Sequence, residues 1–357
     1  MENLPNRELE NQEVLTCPHG ADPAECEACW LEKQPAWQTI EKLQKGGPFE
    51  RSDRHSADCT IESEGKKFRI EVIEKGEDPE IKNVHRLFLK TFGKEEIDPQ
   101  KVTREAVDGY SPDWNTHFPK YRIVTVKDER GRLASVFTGA QLDVLDENGK
   151  PTGEAVFSVG YAVTAETKRQ KGLAREAYIS ALIDAAKQAK DEGKTLKFAI
   201  GECTYTSEKF WNNVGWKRIY AQTKDKKNYA ELKYMQPALD FDEETGKPTE
   251  DADECPEHLM IDSFGRNPPN TEEVKRSYEA LLHYNGDWPE SAFESSKAHQ
   301  THIKYMTGFK TKFKRFLDDH PQLIYLDAEN REKARQQGIK IKEHTAADRG
   351  ETGKEDF

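Results

Sequence analysis

The stretch at 159–193, VGYAVTAETKRQKGLAREAYISALIDAAKQAKDEG, decides how the rest of the chain is read. A short apolar strand (Val159, Gly160, Tyr161, Ala162, Val163) runs into a basic turn of Arg169, Gln170, Lys171, Gly172, Leu173 and Ala174, and then into an alanine-rich helix. Leu173, Ala177, Ala181, Leu182, Ala185 and Ala189 recur at helical spacing, and Gly193 is the stop. A glycine at a helix mouth lets backbone come close to an anion. The first-turn N–H groups and the helix dipole attract it. Lys168, Arg169, Lys171 and Arg175 add positive charge there. Taken alone, the stretch is an anion site fit for the phosphates of a nucleotide.

Working outward, Phe68, Ile70, Val72 and Ile73 read as a strand, and Asp78 with Pro79 opens a helix whose apolar face is Ile81, Val84, Phe88 and Phe92. Residues 94–120 are less regular; Tyr110, Trp114, His117 and Phe118 there either line a substrate entrance or pack under a lid. Alternating apolar residues at 121–127, 133–144 and 155–163, joined by turns at 129–131 and 146–149, predict three antiparallel strands. Beyond the helix come a buried strand of Leu196, Phe198 and Ile200, then Glu202, Cys203, Thr204 and Tyr205. A short helix carrying Phe210, Trp211 and Val214 follows, and then strands from Trp216 to Tyr220 and from Tyr229 to Tyr234. This order implies an α+β fold on a mixed, mostly antiparallel sheet flanked by helices.

The flanks differ in character. Residues 1–64 form a polar arm in which Cys17, His19, Cys26 and Cys29 have partial zinc-ligand spacing, with Cys59, or Cys255 with His258, as substitutes. A zinc site and an arm with reduced cysteines are both open. The packed unit spans 65–238, and an acidic stretch at 239–256 has the composition of a linker. A helical C-terminal extension at 257–342 begins with a helix capped by Asn270 and Glu273, continues with a basic amphipathic helix at 292–317, and is followed by a tail at 343–357 expected to be disordered.

Among the 357 residues 34% are charged, and the net charge is -12. The mean hydropathy is -0.93. This balance disfavours nonspecific nucleic-acid binding and favours cationic partners. No apolar run approaches the ~20 residues of a membrane span, and the N-terminus lacks the pattern of a signal peptide, so a cytoplasmic location is expected.

The element order resembles the GNAT superfamily of N-acetyltransferases over about residues 67–237. Arg169, Gly172 and Ala174 match that family's acyl-CoA turn, and Phe210, Trp211, Gly215 and Trp216 resemble its aromatic segment. The resemblance implies transfer of an acetyl or short acyl group from acetyl-CoA or another acyl-CoA to an amine, either a small molecule or a protein lysine or N-terminus. By it, Arg169, Gln170, Lys171, Gly172, Leu173 and Ala174 hold the pyrophosphate, and Tyr161, Ala162 and Val163 pair with the pantetheine arm.

Glu202 is the first candidate for the base and Glu154 the second, with a surface acid or an anchor for the substrate ammonium as the alternative role for either. Many relatives place a tyrosine where Trp211 stands here, and indole is no acid at neutral pH. Tyr205 is the expected replacement, with Tyr161, Tyr220 and unassisted departure of the thiolate as alternatives. The same departure leaves open a degenerate acyl-CoA-binding sensor or scaffold.

Overall fold

A computed structural model of the protein describes residues 60–343 except 64, 94–96, 99, 110–120, 147–149, 170–171, 205–206, 223–226, 233, 239–240, 250–254, 289 and 321. The chain begins β1 (Thr60–Ser63), β2 (Lys66–Ile73), α1 (Glu80–Phe92), α2 (Gln100–Asp108), β3 (Tyr121–Asp128), β4 (Leu133–Leu145) and β5 (Pro151–Thr164). It continues α3 (Leu173–Asp191), β6 (Thr195–Cys203), α4 (Glu208–Asn213), β7 (Lys217–Gln222), β8 (Asn228–Glu231), β9 (Tyr234–Gln236) and β10 (Cys255–Asp262). The last elements are α5 (Thr271–Gly286), α6 (Ser296–Asp319), β11 (Leu323–Leu326), α7 (Ala328–Gln336) and β12 (Lys340–Lys342).

The fold is α+β. One sheet runs β1-β2-β3-β4-β5-β6-β10-β7-β8-β12, with β11 paired to β7 and β9 to β10. The β5–β6 and β8–β12 pairs are parallel and the other pairs antiparallel. Apolar residues from alternate positions fill both faces. On one side α1, α2, α5 and α6 cover Ile123, Val136, Val156, Ile200 and Ile261. On the other, α3 and the Trp211–Trp216 pair cover Val124, Phe137, Phe157, Ala199 and Met260.

The helix ends follow local chemistry. The Asp78 carboxylate accepts the Glu80 N–H at 2.8 Å, and Pro79 stands at the cap of α1. Asn270 and Glu273 form a reciprocal capping box on α5, with bonds of 3.0 and 2.9 Å. Ser295 caps α6, which starts later than the expected 292 because a 3-10 turn occupies Glu290–Ala292.

The segment after the acidic stretch differs from the expected helical extension. Its first element, β10, lies at the middle of the sheet, between β6 and β7. His258, Leu259, Met260 and Ile261 are all at most 2% exposed, because both faces of this strand are covered. Burial of Leu259, Met260 and Ile261 favours that place by ~1.5–3 kcal/mol each, an upper estimate. Two further strands, β11 and β12, lie in the same C-terminal segment. The expected strand at 229–234 is two short strands, β8 and β9, joined to different neighbours.

Candidate functional site

β5 and β6 run parallel and pair from Glu154 opposite Thr195 to Ser158 opposite Ile200. Past that point they part. β5 stays with β4 as far as Thr164, opposite Ser135, while β6 stays with β10 as far as Cys203, opposite His258. Among the described residues no strand takes the β6-facing edge of β5 at 159–163. The result is a wedge at the carboxyl ends of two parallel strands, the position where open sheets with helices on their faces hold ligands.

A β-bulge bends β5 at this point. Between the pairs Phe137–Ala162 and Gly139–Val159, two residues of β5, Gly160 and Tyr161, oppose Thr138 alone. The Thr138 hydroxyl closes the irregularity: it accepts the Tyr161 N–H and the Tyr121 hydroxyl, both at 2.6 Å, and donates to the Tyr161 carbonyl at 3.2 Å. A Cβ on Gly160 would stand 2.6 Å from the Tyr121 oxygen, so this position needs glycine for close approach.

The chain leaves β5 through a 3-10 turn, Glu166–Lys168, and enters α3 at Gly172. Gly172 has φ 72° and open space where a Cβ would sit, which leaves the helix mouth accessible. Leu173 is buried, so only its backbone can serve a ligand, and Ala174 is half-buried. Arg169 and Arg175 are exposed. Lys168 is already paired with Asp128 at 3.1 Å; the Arg132 guanidinium foremost, then Lys168, holds that carboxyl well below its usual range. Gln170 and Lys171 lie outside the described residues.

Of the residues expected along β5, Val163 is buried and Ala162 half-buried. Tyr161 spends its backbone groups on Thr138, so the edge available to a ligand comes from its neighbours. Its ring packs on Phe88 and Phe92 at 5.0 and 5.6 Å, and its hydroxyl faces an Asp98 carboxylate oxygen at 3.4 Å.

Glu202, near the end of β6, stands opposite Leu259 and accepts a hydrogen bond from the Tyr234 hydroxyl. Glu154 is not brought near it. It lies at the closed end of the β5–β6 pair and is bound to Lys197 at 3.1 Å, which also meets Glu273 at 3.3 Å. Tyr205 lies outside the described residues. Tyr220 donates to Glu343 at 2.7 Å, within an ionic cluster around Arg218. Trp211 is a core residue, 4.9 Å from the rings of both Phe210 and Trp216. Burial pushes the Cys203 thiol well above its usual range, so it stays protonated and poorly nucleophilic.

Tyr234 is the site residue that sequence reasoning missed. The sequence pattern marks it only as the end of a strand, and its partner lies 32 residues away in the chain.

Of the zinc candidates, Cys17, His19, Cys26, Cys29 and Cys59 fall outside the described residues, and His258 is buried and hydrogen-bonded to Glu231. Among the described residues no group of three or more His, Cys, Asp or Glu is placed to hold a metal ion. No helix among them is long and apolar enough to cross a membrane.

No protein-family model and no curated protein matches this sequence. Several solved structures are similar to part of it. One holds a GCN5-related glucosamine N-acetyltransferase region of a fungal multi-domain GH3 β-N-acetylglucosaminidase (12% identity, 44% of this chain, TM-score 0.31), of which the match spans 18%. Another is an aminoglycoside acetyltransferase from an uncultured soil metagenomic sample (12% identity, 41% of this chain and 86% of that one, TM-score 0.29). A third is Arabidopsis thaliana NAA60 in complex with acetyl-CoA (8% identity, 54% of this chain and 97% of that one, TM-score 0.34). Superpositions this loose assign no activity to the chain.

Proposed function

We propose that the protein is an acyl-CoA-dependent N-acyltransferase that moves an acetyl or other short acyl group to a primary amine by direct attack. The observation that carries this reading is the wedge between β5 and β6, where among the described residues no strand pairs with the β6-facing edge at 159–163, and the open helix mouth at Gly172 lies at the same end. The accessible space at Gly172 and the strand edge fit an anionic head with an extended, amide-bearing arm.

A bound acyl-CoA would supply the thioester carbonyl and a thiolate leaving group. The first-turn backbone of α3, with Arg169, Gln170 and Lys171, holds the pyrophosphate. The β5 edge aligns the arm, and a backbone N–H near Val163 is the donor for the developing oxyanion. An alkyl amine, with a pKa near ~10, is about one part in a thousand neutral at pH 7. Glu202 takes its proton. Tyr205, two residues beyond the end of β6, returns one to the departing sulfur. The net charge of -12 favours a cationic acceptor, either a small amine or a protein lysine or N-terminus.

A second reading, an acyl-CoA-binding module without turnover, is favoured by one observation: Trp211 is 5% exposed, packed in the core where a proton donor would be sought. Thiol release from acetyl-CoA with a panel of amines separates the two. Release above the hydrolytic background is the expected result; CoA-induced stabilisation without release for any amine leaves the binding module. The placement of the phosphates has its own test. Gly172→Glu puts a negative charge at the helix mouth and a side chain on a positive φ, so the rise in melting temperature with CoA is expected to vanish; an unchanged rise refutes that placement.

A further inference from the structure

Glu202 leaves β6 on the face covered by α5 and α6, and a line of aromatic rings runs from it into those helices. The Tyr234 hydroxyl donates to Glu202 Oε1. The Tyr234 ring meets Tyr278 of α5 edge to face at 5.1 Å, and Tyr278 stacks on Phe313 of α6 at 3.4 Å. Tyr234, Tyr278 and Phe313 are 0%, 1% and 4% exposed, so this line is fixed by packing.

We propose that Tyr234 is the positioning residue for Glu202: its buried hydroxyl orients the carboxylate of the acyl-transfer base and ties that base to the C-terminal helices. The assignment of Glu202 as base rests on the acyl-transfer reading; the orientation by Tyr234 rests on the geometry alone. Burial first, and then the charge of Glu202, push the Tyr234 phenol well above its usual range. It therefore remains a donor at any physiological pH. A hydrogen bond to the charged form keeps a carboxylate ionised. Among the described residues, the other titratable groups that act on Tyr234 are Tyr278 on α5, whose phenol burial and Glu202 also push up, and Glu257 on β10, directly across the strand pair from Tyr234.

Tyr234→Phe removes the donor and keeps the ring. The acid limb of the kcat/KM profile is expected to move up by about one pH unit. The kcat should fall about tenfold, while the KM for acyl-CoA and the CoA-induced rise in Tm stay as in the wild type. A limb and kcat that do not move overturn the proposal.

A second measurement needs no turnover: carbon-13 NMR titration of the Glu202 carboxyl, assigned with Glu202→Gln. Its midpoint should rise in Tyr234→Phe, and an unchanged midpoint overturns the positioning role. Absence of thiol release from the wild type overturns the acyl-transfer reading instead, so the two failures are distinguishable. If Tyr234→Phe does not fold, 3-fluorotyrosine at position 234 keeps the shape with a more acidic hydroxyl and should lower the midpoint; no movement again overturns the proposal.

Discussion

Asp262 closes β10 as a carboxylate sunk beneath α3, 7% exposed, accepting the Tyr178 hydroxyl at 2.5 Å and the Phe264 N–H at 2.8 Å. Phe264 takes φ 55°, a strained value for a non-glycine residue, in the turn that this second bond closes. Desolvation outweighs the two donors, and the carboxyl is pushed up to about 6. In the unfolded chain it titrates near ~3.9, so between the two values the folded state binds the extra proton. The stabilising contribution is complete below about pH 4 and is lost as pH rises through about 6. Asp262→Asn removes this titration. The Tm difference between variant and wild type should shift in favour of the variant from pH 4 to 7 and stay level above; a difference independent of pH refutes the argument. Neither Asp262 nor Tyr234 was legible as important. Each depends on a partner far away in the chain, whereas Gly172 and Glu202 announce themselves by standing at the junctions of periodic segments.

The bulge in β5 makes its own prediction at the level of elements. Gly160→Ala would place a methyl 2.6 Å from the Tyr121 oxygen and 2.8 Å from the Thr138 oxygen, atoms already bonded to each other. The overpacking should cost ~1–3 kcal/mol and weaken the CoA-induced rise in Tm, because the turned edge of β5 depends on that bond. Gly308→Ala in α6 has nothing within 4 Å and should instead raise stability by ~0.5–1 kcal/mol. Denaturant melts of the two variants test both signs together, and an unharmed Gly160→Ala would mean that the bulge does not set the edge. Elements with sustained periodicity, β3 to β5, α1 and α3, were legible from their pattern. β10 was not, because only Leu259, Met260 and Ile261 form its apolar run and acids surround them. α7 was hidden for a different reason. It is highly polar, and charges fix it: Arg331 meets Glu208 of α4 at 2.5 Å and Glu343 at 3.3 Å.

At the scale of the whole molecule, the C-terminal part is threaded through the sheet that carries the wedge. Leu259 and Ile261 belong to the core under α5 and α6, while Met260 belongs to the core under α3, so one strand serves both layers. β11 then takes the other edge of β7, since Arg218 is opposite Met260 on one side and Leu326 on the other. The same Arg218 binds Glu231 at 3.6 Å and Glu343 at 3.3 Å, also paired with Glu208, and is 5% exposed. Removing the segment would leave this guanidinium short of one carboxylate, leave the backbone groups of β6 and β7 that β10 pairs without partners, and uncover both cores where Leu259, Met260 and Ile261 sit, losses comparable to a domain's usual margin of ~5–15 kcal/mol. If the acidic stretch joined two independent units, cutting it would release a folded piece ending near residue 238. The topology predicts otherwise. With a specific protease site placed at 250–254, the cleaved halves should co-elute as one particle and separate only when β10 is unfolded, with a single cooperative melt before and after cleavage. A fragment ending at Thr249, expressed alone, should show no cooperative melt and no stabilisation by CoA; a well-folded fragment of that length would mean that β10 merely covers a sheet that is already complete.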